Sequence, residues 1–184
     1  MKIKDGTLHL VSEKSPGPDG FSFEFYKHCW NSIKSDLLRV VYNFYNHQVS
    51  LERINYSYII LIPKEEFNYT IRNYRLISLM NGIVKIISKV LSTRLAKKLD
   101  SMISPTQSAF IHSRTLSDNF AAAKEVISHA VASKHKGIIY KLDFEKAFDR
   151  VEWSFILDIP SARGFRSKWC RWIYDIISIA NHQS

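Results

Sequence analysis

The sequence predicts an α+β protein. Several stretches place apolar residues at every third or fourth position, which is the spacing of an amphipathic helix. Two shorter runs, residues 56–64 and 138–144, are rich in β-branched and aromatic residues and are typical of strands. Helical and strand patterns alternate without the regular spacing of repeated β-α-β units, which favours an α+β or mixed-sheet arrangement.

The first half of the chain begins with a turn-rich loop, "SPGPDG" at residues 15–20, in which proline and glycine favour tight turns. A helix is expected after it, and residues 56–64 are expected to form a strand that Pro63 ends. The segment "FNYTIRNY" follows as a polar connection. The apolar stripe of the expected helix consists of Trp30, Ile33, Leu37, Val40 and Phe44.

A second long helix is predicted from about Asn81 to Met102, with a loop after it at residues 103–115. Ser117 or Asp118 is expected to cap a third helix through "NFAAAKEVISHAVA", because short polar side chains accept hydrogen bonds from the first turn. The apolar stripe of the long helix includes Ile83, Ile86, Ile87, Val90 and Leu91.

The last third begins with residues 138–144, "IIYKLDF", which we interpret as a central strand. A fourth helix is expected from near Glu145, with Phe148, Val151 and Phe155 on one side, and Pro160 should break or kink it. The segment "KWCRWIYDIISIA" is amphipathic and ends close to the last residue.

Composition narrows the class of protein. At 184 residues the chain suits one domain or slightly more, and its net charge of +9 favours a polyanionic partner, although a merely basic globular protein has the same balance. The two cysteines are too few for a disulfide framework. Because the sequence has neither a CxxC nor an HxxxH pattern, a zinc site is not predicted. No signal peptide or membrane-spanning run is recognised, so we expect an intracellular protein, nuclear or cytoplasmic, with no membrane partner.

Asp143 stands at the end of the predicted strand 138–144, directly before the expected helix. A carboxylate held there is a good ligand for Mg²⁺, which prefers oxygen donors. An ordinary acid in the first turn of a helix is the alternative interpretation of one aspartate in that place.

Five blocks of sequence favour the metal-ligand interpretation of Asp143. They are "KSPGPDGFSFEFYKHCW", "YIILIPK", "NYRLISLMNGIVKIISKVLSTRL", "ISPTQSAFIHSRTLSDN" and "KLDFEKAFDRVEW". Occurring in this order, they resemble the reverse transcriptase of non-LTR (LINE-type) retrotransposons, particularly the plant kind. The resemblance implies a truncated right-hand polymerase fold, with helical fingers and a partial palm sheet. It divides the chain into residues 1–13 without a match, 14–135 as fingers and 136–184 as an incomplete palm with the first catalytic motif.

The same resemblance implies roles for residues near the expected active centre. Asp143 matches the first catalytic carboxylate, which holds Mg²⁺, and the backbone carbonyl of Phe144 joins the metal shell in the family. Phe148 matches the position beneath the incoming sugar, a role compatible with simple core packing. Lys64 and Arg75 match the basic residues that close over the nucleotide triphosphate; without the resemblance they would be ordinary surface charges.

Further cations are expected to contact nucleic acid, and the implied partners are an RNA template, an RNA–DNA hybrid and dNTPs. Arg114 matches a residue associated with the template. Arg72 and the face of Lys85 and Lys89 are expected to touch phosphates, which would make binding sensitive to salt.

The chain also departs from the family pattern. Leu76 replaces a proline, Ser113 replaces a glycine, and Pro160 stands where an apolar residue is usual, which suggests drift in a copy no longer maintained. No Asp-Asp pair occurs in the 184 residues, and Asp175 lies in a helical pattern that does not match the second carboxylate block. We therefore expect a polymerase fragment that is inactive alone unless a downstream segment completes it; a non-catalytic nucleic-acid-binding module and a poorly folded relic are the alternatives.

Overall fold

The computed structural model describes residues 14–64, 70–111, 114–134, 136–144, 147 and 150–179. The chain divides into two compact units, which are described separately. The first unit comprises Met1–Leu91 and Leu157–Ser184, and the second comprises Ser92–Ile156. This division does not test the assignment of fingers and palm, which stays a prediction.

The elements follow in this order: α1 (Phe23–His28), α2 (Trp30–Tyr45), β1 (Ser57–Pro63), a 3₁₀ turn (Ile71–Asn73), β2 (Tyr74–Met80), α3 (Gly82–Leu99), α4 (Leu116–Ala132), α5 (Trp153–Ala162) and α6 (Ser167–Ile179). Helices and a small antiparallel sheet are thus both present, as the sequence predicts. Among the described residues the sheet has two strands, β1 and β2, and both lie within the predicted fingers. No palm strand occurs in the part of the chain that the structure describes.

The helical region after the proline-glycine loop is interrupted. Ser22 caps α1 by accepting a hydrogen bond from the Phe25 amide at 3.4 Å, and Cys29, with φ −86° and ψ 9°, separates α1 from α2. The helix α2 ends at Tyr45 with His47 in the left-handed region at φ 56°. The amides of His47 and Gln48 donate to the carbonyls of Phe44 and Asn43, which closes the last turn as a Schellman motif.

The core of the first unit joins α1, α2, α3 and α6. A cluster of buried side chains fills it, and the Trp172 indole on α6 also donates to the Tyr45 carbonyl at 3.2 Å. Asn55, buried before β1, donates to the Ile176 carbonyl at 2.8 Å. The predicted stripes of α2 and α3 are therefore confirmed as the packed faces, except that Val41 is buried in the cluster where Val40 was predicted. The cluster consists of Phe23, Tyr26, Leu37, Val41, Phe44, Leu51, Ile86, Ile87, Leu91 and Trp172.

The second unit contains α4 and the loop before it. The cap of α4 differs from our prediction: Thr115, not Ser117 or Asp118, is the N-cap. The Thr115 side chain accepts from the backbone of Asp118, and Asp118 accepts from the Thr115 amide at 3.1 Å. Asp118 is therefore the third helical residue of a capping box, since the threonine three positions earlier can satisfy the first turn reciprocally.

Residues 136–144 form no strand, which corrects the predicted central strand at 138–144. A strand exists only where a neighbour supplies a hydrogen-bonded ladder, and among the described residues β1 and β2 pair only with each other. The predicted fourth helix is described only from Trp153, where α5 begins, and Arg150 lies in a turn before it. Glu145 and Phe148 themselves lie outside the described residues.

Pro160 does not end α5, which continues to Ala162. The Phe165 amide donates to the Pro160 carbonyl at 2.9 Å, and Gly164, at φ 75°, donates to the Ser161 carbonyl at 3.0 Å. These two bonds make a Schellman motif, which places Pro160 in the last turn of the helix. Within the described residues no helix is both long and apolar enough to cross a bilayer.

Candidate functional site

The hairpin of β1 and β2 carries the two predicted nucleotide-binding cations. Ile62 lies opposite Arg75 in the antiparallel register, and the Lys64 amide donates to the Asn73 carbonyl at 2.8 Å, which extends the ladder by one pair. Side chains two residues apart share a face of a strand, so Lys64 and Arg75 lie diagonally on one face. Both side chains are exposed.

Apolar side chains accompany the cations on both sides of this ribbon. Ile60, Ile62 and Ile77 share the face of Lys64 and Arg75, and Ile59, Leu61 and Leu76 lie on the opposite face. All six are exposed. The ribbon therefore presents a mixed cationic and apolar face that can meet a charged ligand with a flat apolar part.

The register also explains how a proline fits at position 76 in the family. The bond from Lys64 to Asn73 sets the parity of the ladder, so Pro63 with Tyr74 and Leu61 with Leu76 are non-hydrogen-bonded pairs. The amide of Leu76 therefore points away from β1, as does the nitrogen of Pro63. Leucine and proline are both compatible with this place in a two-stranded ribbon.

Asp143, the predicted catalytic carboxylate, lies in residues 136–144 of the second unit and is exposed. Phe144 beside it is also exposed. Phe148, the predicted contact of the sugar, lies outside the described residues. The structure thus leaves the Asp143 side chain open to solvent instead of at the end of a buried strand.

The described residues do not build a magnesium site. They contain no group of three or more histidine, cysteine, aspartate or glutamate side chains that could hold a metal ion. Mg²⁺ is usually held by one or two carboxylates together with substrate phosphates, so Asp143 would supply only part of its ligand set. The described residues therefore do not form a two-metal centre by themselves.

Lys85 and Lys89 lie one turn apart on α3, but their surroundings differ. The Lys85 ammonium donates to the Ser15 carbonyl at 3.0 Å and lies 5.6 Å from the ring centre of Phe23. Burial lowers the pKa of Lys85, Lys14 adds to this effect, and Asp19 opposes it. Lys85 therefore anchors the proline-glycine loop, whereas Lys89 is exposed.

Arg114, the predicted template contact, is enclosed by its own loop. Its guanidinium donates to the carbonyls of Ser104 and Gln107, and to those of Ile103 and Asp100 at 3.2 and 3.4 Å. Its Nε lies 3.8 Å from a carboxylate oxygen of Asp100, and its side chain is 16% exposed. The structure gives Arg114 the role of a loop organiser, and template contact stays a prediction. Arg72 lies in the 3₁₀ turn, and its side chain is outside the description.

A second polar cluster, which the sequence interpretation missed, fixes the proline-glycine loop to the start of α3. The Asp19 carboxylate accepts hydrogen bonds from the amides of Phe21 and Gly82 at 3.2 and 3.1 Å. The buried Asn81 accepts from the Asp19 amide at 2.9 Å and donates to the Ile54 carbonyl at 2.8 Å. The sequence predicts only that Asp19 lies in a turn-rich loop, and the folded chain shows that its carboxylate caps a helix 63 residues later.

Tyr26 and Gly17 also lie at the contact between the proline-glycine loop and the rest of the first unit. Burial raises the pKa of Tyr26 to about 12, and the charge and hydrogen bond of Asp19 add to the effect. Gly17 is buried against the backbone, since a Cβ there would lie 2.3 Å from the Met80 carbonyl oxygen. The loop therefore packs directly against the strand that carries Arg75.

Asp175 lies in α6, as its helical pattern predicts. Its carboxylate accepts from Arg171 Nε at 3.0 Å and lies 3.4 Å from His47 Nδ1. These contacts join α6 to the end of α2, at a cavity of about 330 Å³. Asp175 therefore contributes polar contacts to the packing of the first unit.

Comparison with known proteins identifies the source of the sequence blocks. A family model described as reverse transcriptase (RNA-dependent DNA polymerase) matches residues 62–184, which include the end of β1, all of β2, Asp143 and α6. The chain is also similar to the Transposon TX1 uncharacterized 149 kDa protein of Xenopus laevis, with 31% identity over 156 residues and 85% of this chain.

Two further relatives are retrovirus-related Pol polyproteins from type-1 retrotransposable elements. The protein of element R1 from Bradysia coprophila is 25% identical over 88% of this chain, and that of element R2 from Nasonia vitripennis is 29% identical over 82%. The chain spans 12%, 16% and 14% of the lengths of these three relatives.

Proposed function

The chain belongs to the reverse transcriptase family, in the form found in non-LTR retrotransposons, and we propose that it supplies the nucleotide-binding hairpin and the first catalytic aspartate of an RNA-directed DNA polymerase. Its partners are then an RNA template, the growing RNA–DNA hybrid and dNTPs. Lys64 and Arg75 bind the triphosphate, and Asp143 serves the catalytic centre.

One observation carries this proposal: Lys64, directly after β1, and Arg75, the second residue of β2, lie at the same end of the hairpin, and both side chains are exposed. A triphosphate carries several negative charges, and charge-assisted hydrogen bonds from two cations are stronger than those from neutral donors. The apolar neighbours Ile60, Ile62 and Ile77 offer contact area beside the charges.

Nucleotide binding by the full chain tests the hairpin. We expect a fluorescent dNTP to bind at least about tenfold more weakly to Lys64→Ala/Arg75→Ala, which corresponds to about 1.4 kcal/mol. Lys34→Ala/Arg53→Ala removes the same two charges from exposed positions outside the hairpin and is the matched control. Equal losses in both double variants would mean that net charge alone attracts the nucleotide, and the proposed site would be wrong.

Asp143 is the proposed ligand of Mg²⁺, with the Phe144 carbonyl beside it and Phe148 as the contact of the sugar. Its support is the sequence block "KLDFEKAFDRVEW" and the open access to its carboxylate. The 184 residues contain no Asp-Asp pair, so polymerisation needs carboxylates from elsewhere in a longer protein or from a second chain.

Primer extension on RNA with dNTPs and Mg²⁺ tests this second part. We expect no synthesis by the 184-residue chain above the level of Asp143→Asn. Restoration by an added polypeptide that carries the missing carboxylate block, and its loss with Asp143→Asn, would support the assignment. Synthesis that survives Asp143→Asn would contradict it.

We also propose that the chain corresponds to the N-terminal part of the polymerase domain, the fingers and the start of the palm, from an element of the plant kind. Two features of the sequence support this: the order of the five sequence blocks, and the absence of an Asp-Asp pair that would match the second carboxylate block of the family. The sequence of the transcript beyond codon 184 tests both statements.

A non-catalytic nucleic-acid-binding module is the second candidate, favoured by the net charge of +9 and the exposed Lys64, Arg75 and Lys89. In that case the logarithm of the binding constant for RNA falls linearly with the logarithm of salt concentration, because each neutralised phosphate releases counterions. An affinity independent of salt would exclude it, and dNTP binding that responds to the hairpin variants would favour the polymerase.

A further inference from the structure

A run of basic residues leads from the end of α5 into α6, within the first unit. Residues 160–174 contain four cations and no aspartate or glutamate, so this run contributes +4 to the total charge of +9. All four cationic side chains are exposed. We call the surface that they form the α6 basic surface, and it consists of Arg163, Arg166, Lys168 and Arg171.

Most of the charge on this surface has no acidic partner. Among the described residues, Arg171 is the one member that pairs with an acid, through the ion pair with the carboxylate one turn later. Lys168 donates to the neutral side chain of Asn46 at 3.4 Å. The side chains of Arg163 and Arg166 form no hydrogen bond or ion pair within the part of the chain that the structure describes. Three cations without an acid beside them favour a polyanion as the ligand.

Helix stability does not explain the position of two of these cations. Acidic side chains stabilise the first turn of a helix and a cation there is unfavourable, because the helix dipole is positive at that end. The helix α6 begins at Ser167, with Arg166 directly before it and Lys168 in its first turn, and that turn contains no acid. Local sequence choices that oppose the stability of an element are expected mainly at functional sites.

Tyr174 adds an aromatic ring beside the charges. Its side chain is 45% exposed, and the guanidinium of Arg171, three residues earlier on the helix, lies 5.6 Å from the centre of its ring. Trp172, in contrast, is buried in the core of the first unit. Proteins bind single-stranded nucleic acid through cations along the phosphates and exposed rings on which bases stack. The α6 basic surface and Tyr174 supply both kinds of contact.

We propose that the α6 basic surface binds the phosphates of single-stranded RNA and that one base of this RNA stacks on Tyr174. The proposal rests on the proposed function in one respect, which is the choice of RNA as the polyanion. RNA bound here does not use Lys64, Arg75 or Asp143, the side chains proposed for the nucleotide and the metal. The surface is therefore an additional RNA contact of the same chain.

The salt dependence of RNA binding by the full chain tests the phosphate contacts. We expect Arg163→Gln/Arg166→Gln to bind a single-stranded oligouridine about tenfold more weakly at physiological salt. The slope of the logarithm of the binding constant against the logarithm of salt concentration should fall in magnitude by about 1.4, which is about 0.7 for each lost phosphate contact. Lys34→Gln/Lys124→Gln removes two charges from exposed positions of α2 and α4 and is the matched control. Equal changes in both double variants would mean that net charge alone attracts RNA, and the proposal would be overturned.

Comparison of two polyanions tests the base contact. Tyr174→Ala should weaken binding of the oligouridine about fivefold or more, whereas Tyr174→Phe, which keeps a ring for stacking, should bind like the parent chain. Inorganic polyphosphate carries the charges without the bases, so its affinity should be the same for all three chains. Equal weakening of RNA and polyphosphate binding by Tyr174→Ala would contradict stacking on Tyr174.

Two further measurements separate this surface from the hairpin and from a membrane. Arg163→Gln/Arg166→Gln should bind the fluorescent dNTP like the parent chain. If these substitutions change RNA binding as expected but the hairpin variant does not change dNTP binding, the hairpin assignment is wrong and the α6 basic surface is supported; the reverse result overturns the α6 basic surface alone. Binding to vesicles that contain phosphatidylserine, dependent on Arg163 and Arg166 and without RNA binding, would also overturn the proposal.

Discussion

Each of the two units is stabilised internally by a different kind of interaction. The first unit surrounds ten buried side chains from α1, α2, α3, α6 and the segment before β1. In the second unit, Ile111 is the one buried apolar residue among those described, and the loop before α4 is organised by the guanidinium of Arg114. The first unit is thus stabilised by apolar burial and the second by polar contacts within a loop.

This difference indicates which of the two proposed functional regions is held in place by a packed core and which is not. The hairpin with Lys64 and Arg75 belongs to the first unit, which has a packed core, whereas Asp143 belongs to the second unit, which is weakly packed. A catalytic carboxylate needs a rigid setting to hold a metal. We therefore expect the hairpin to bind nucleotide in this chain and the carboxylate to need further structure.

The largest effect is expected from a cavity in the packed unit. Ile86 is fully buried, so Ile86→Ala should lower the free energy of unfolding by about 2–5 kcal/mol through lost apolar burial and an unfilled volume. Urea unfolding followed by circular dichroism measures it. Ile138→Ala, at an exposed position of the second unit, is the control and should change stability by less than about 0.5 kcal/mol. Similar losses in both variants would refute the contrast between the units.

Gly17 tests how firmly the proline-glycine loop is packed onto the first unit. Gly17→Ala should cost about 1–3 kcal/mol, because its Cβ would overlap the Met80 carbonyl and force the backbone to shift. Gly137→Ala meets nothing within 4 Å and serves as the control in the same unfolding assay. A neutral Gly17→Ala would mean that the loop is displaced at little cost.

Arg114 tests the second unit. Arg114→Lys retains the charge but cannot reach the same set of carbonyls, so the loop at residues 100–111 should open more readily, by about 1–2 kcal/mol locally. Hydrogen exchange should show faster exchange there and unchanged protection in α2. If RNA binding falls while exchange is unchanged, Arg114 contacts the template and is not a loop organiser.

Tyr26 gives a pH-dependent comparison. Because its pKa is raised to about 12, the folded chain keeps the phenol proton above pH 10 while the unfolded chain loses it. The unfolded state then binds fewer protons, so stability should fall as the pH rises from 10 towards 12. Tyr26→Phe should reduce this fall relative to the parent chain, as shown by urea midpoints below pH 10 and within that interval. Identical slopes would contradict the assigned burial and contact with Asp19.

The smallest effect is expected at Leu76 in the hairpin. Leu76→Pro should change stability by less than about 0.5 kcal/mol, since the Leu76 amide does not take part in the ladder. Ile77→Pro, one residue later at a hydrogen-bonded position, should disrupt the hairpin and nucleotide binding. Thermal melts and dNTP binding distinguish the two variants.

Several elements followed directly from local sequence. The hairpin strand 57–63 lies within the predicted 56–64, and α3 ends at Leu99 instead of Met102. Periodicity of two or of three to four residues is a local property, so these assignments needed no knowledge of the fold. The break at Cys29, the cap at Thr115 and the start of α5 at Trp153 were missed, because helix ends depend on single hydrogen bonds that several neighbouring residues could make.

The sequence by itself determined the family, the first strand of the hairpin and the identities of the candidate residues, because block order and side-chain chemistry are local properties of the chain. The second strand, Tyr74–Met80, was not predicted. Tertiary structure alone decided the surroundings of Lys85 and Arg114: Lys85 contacts Ser15, 70 residues away, and Arg114 is surrounded by carbonyls of its own loop. It also decided that residues 138–144 form no strand within the described fold. A strand needs hydrogen-bond partners from a second segment, and the sequence of one segment does not specify which segment lies beside it in the fold.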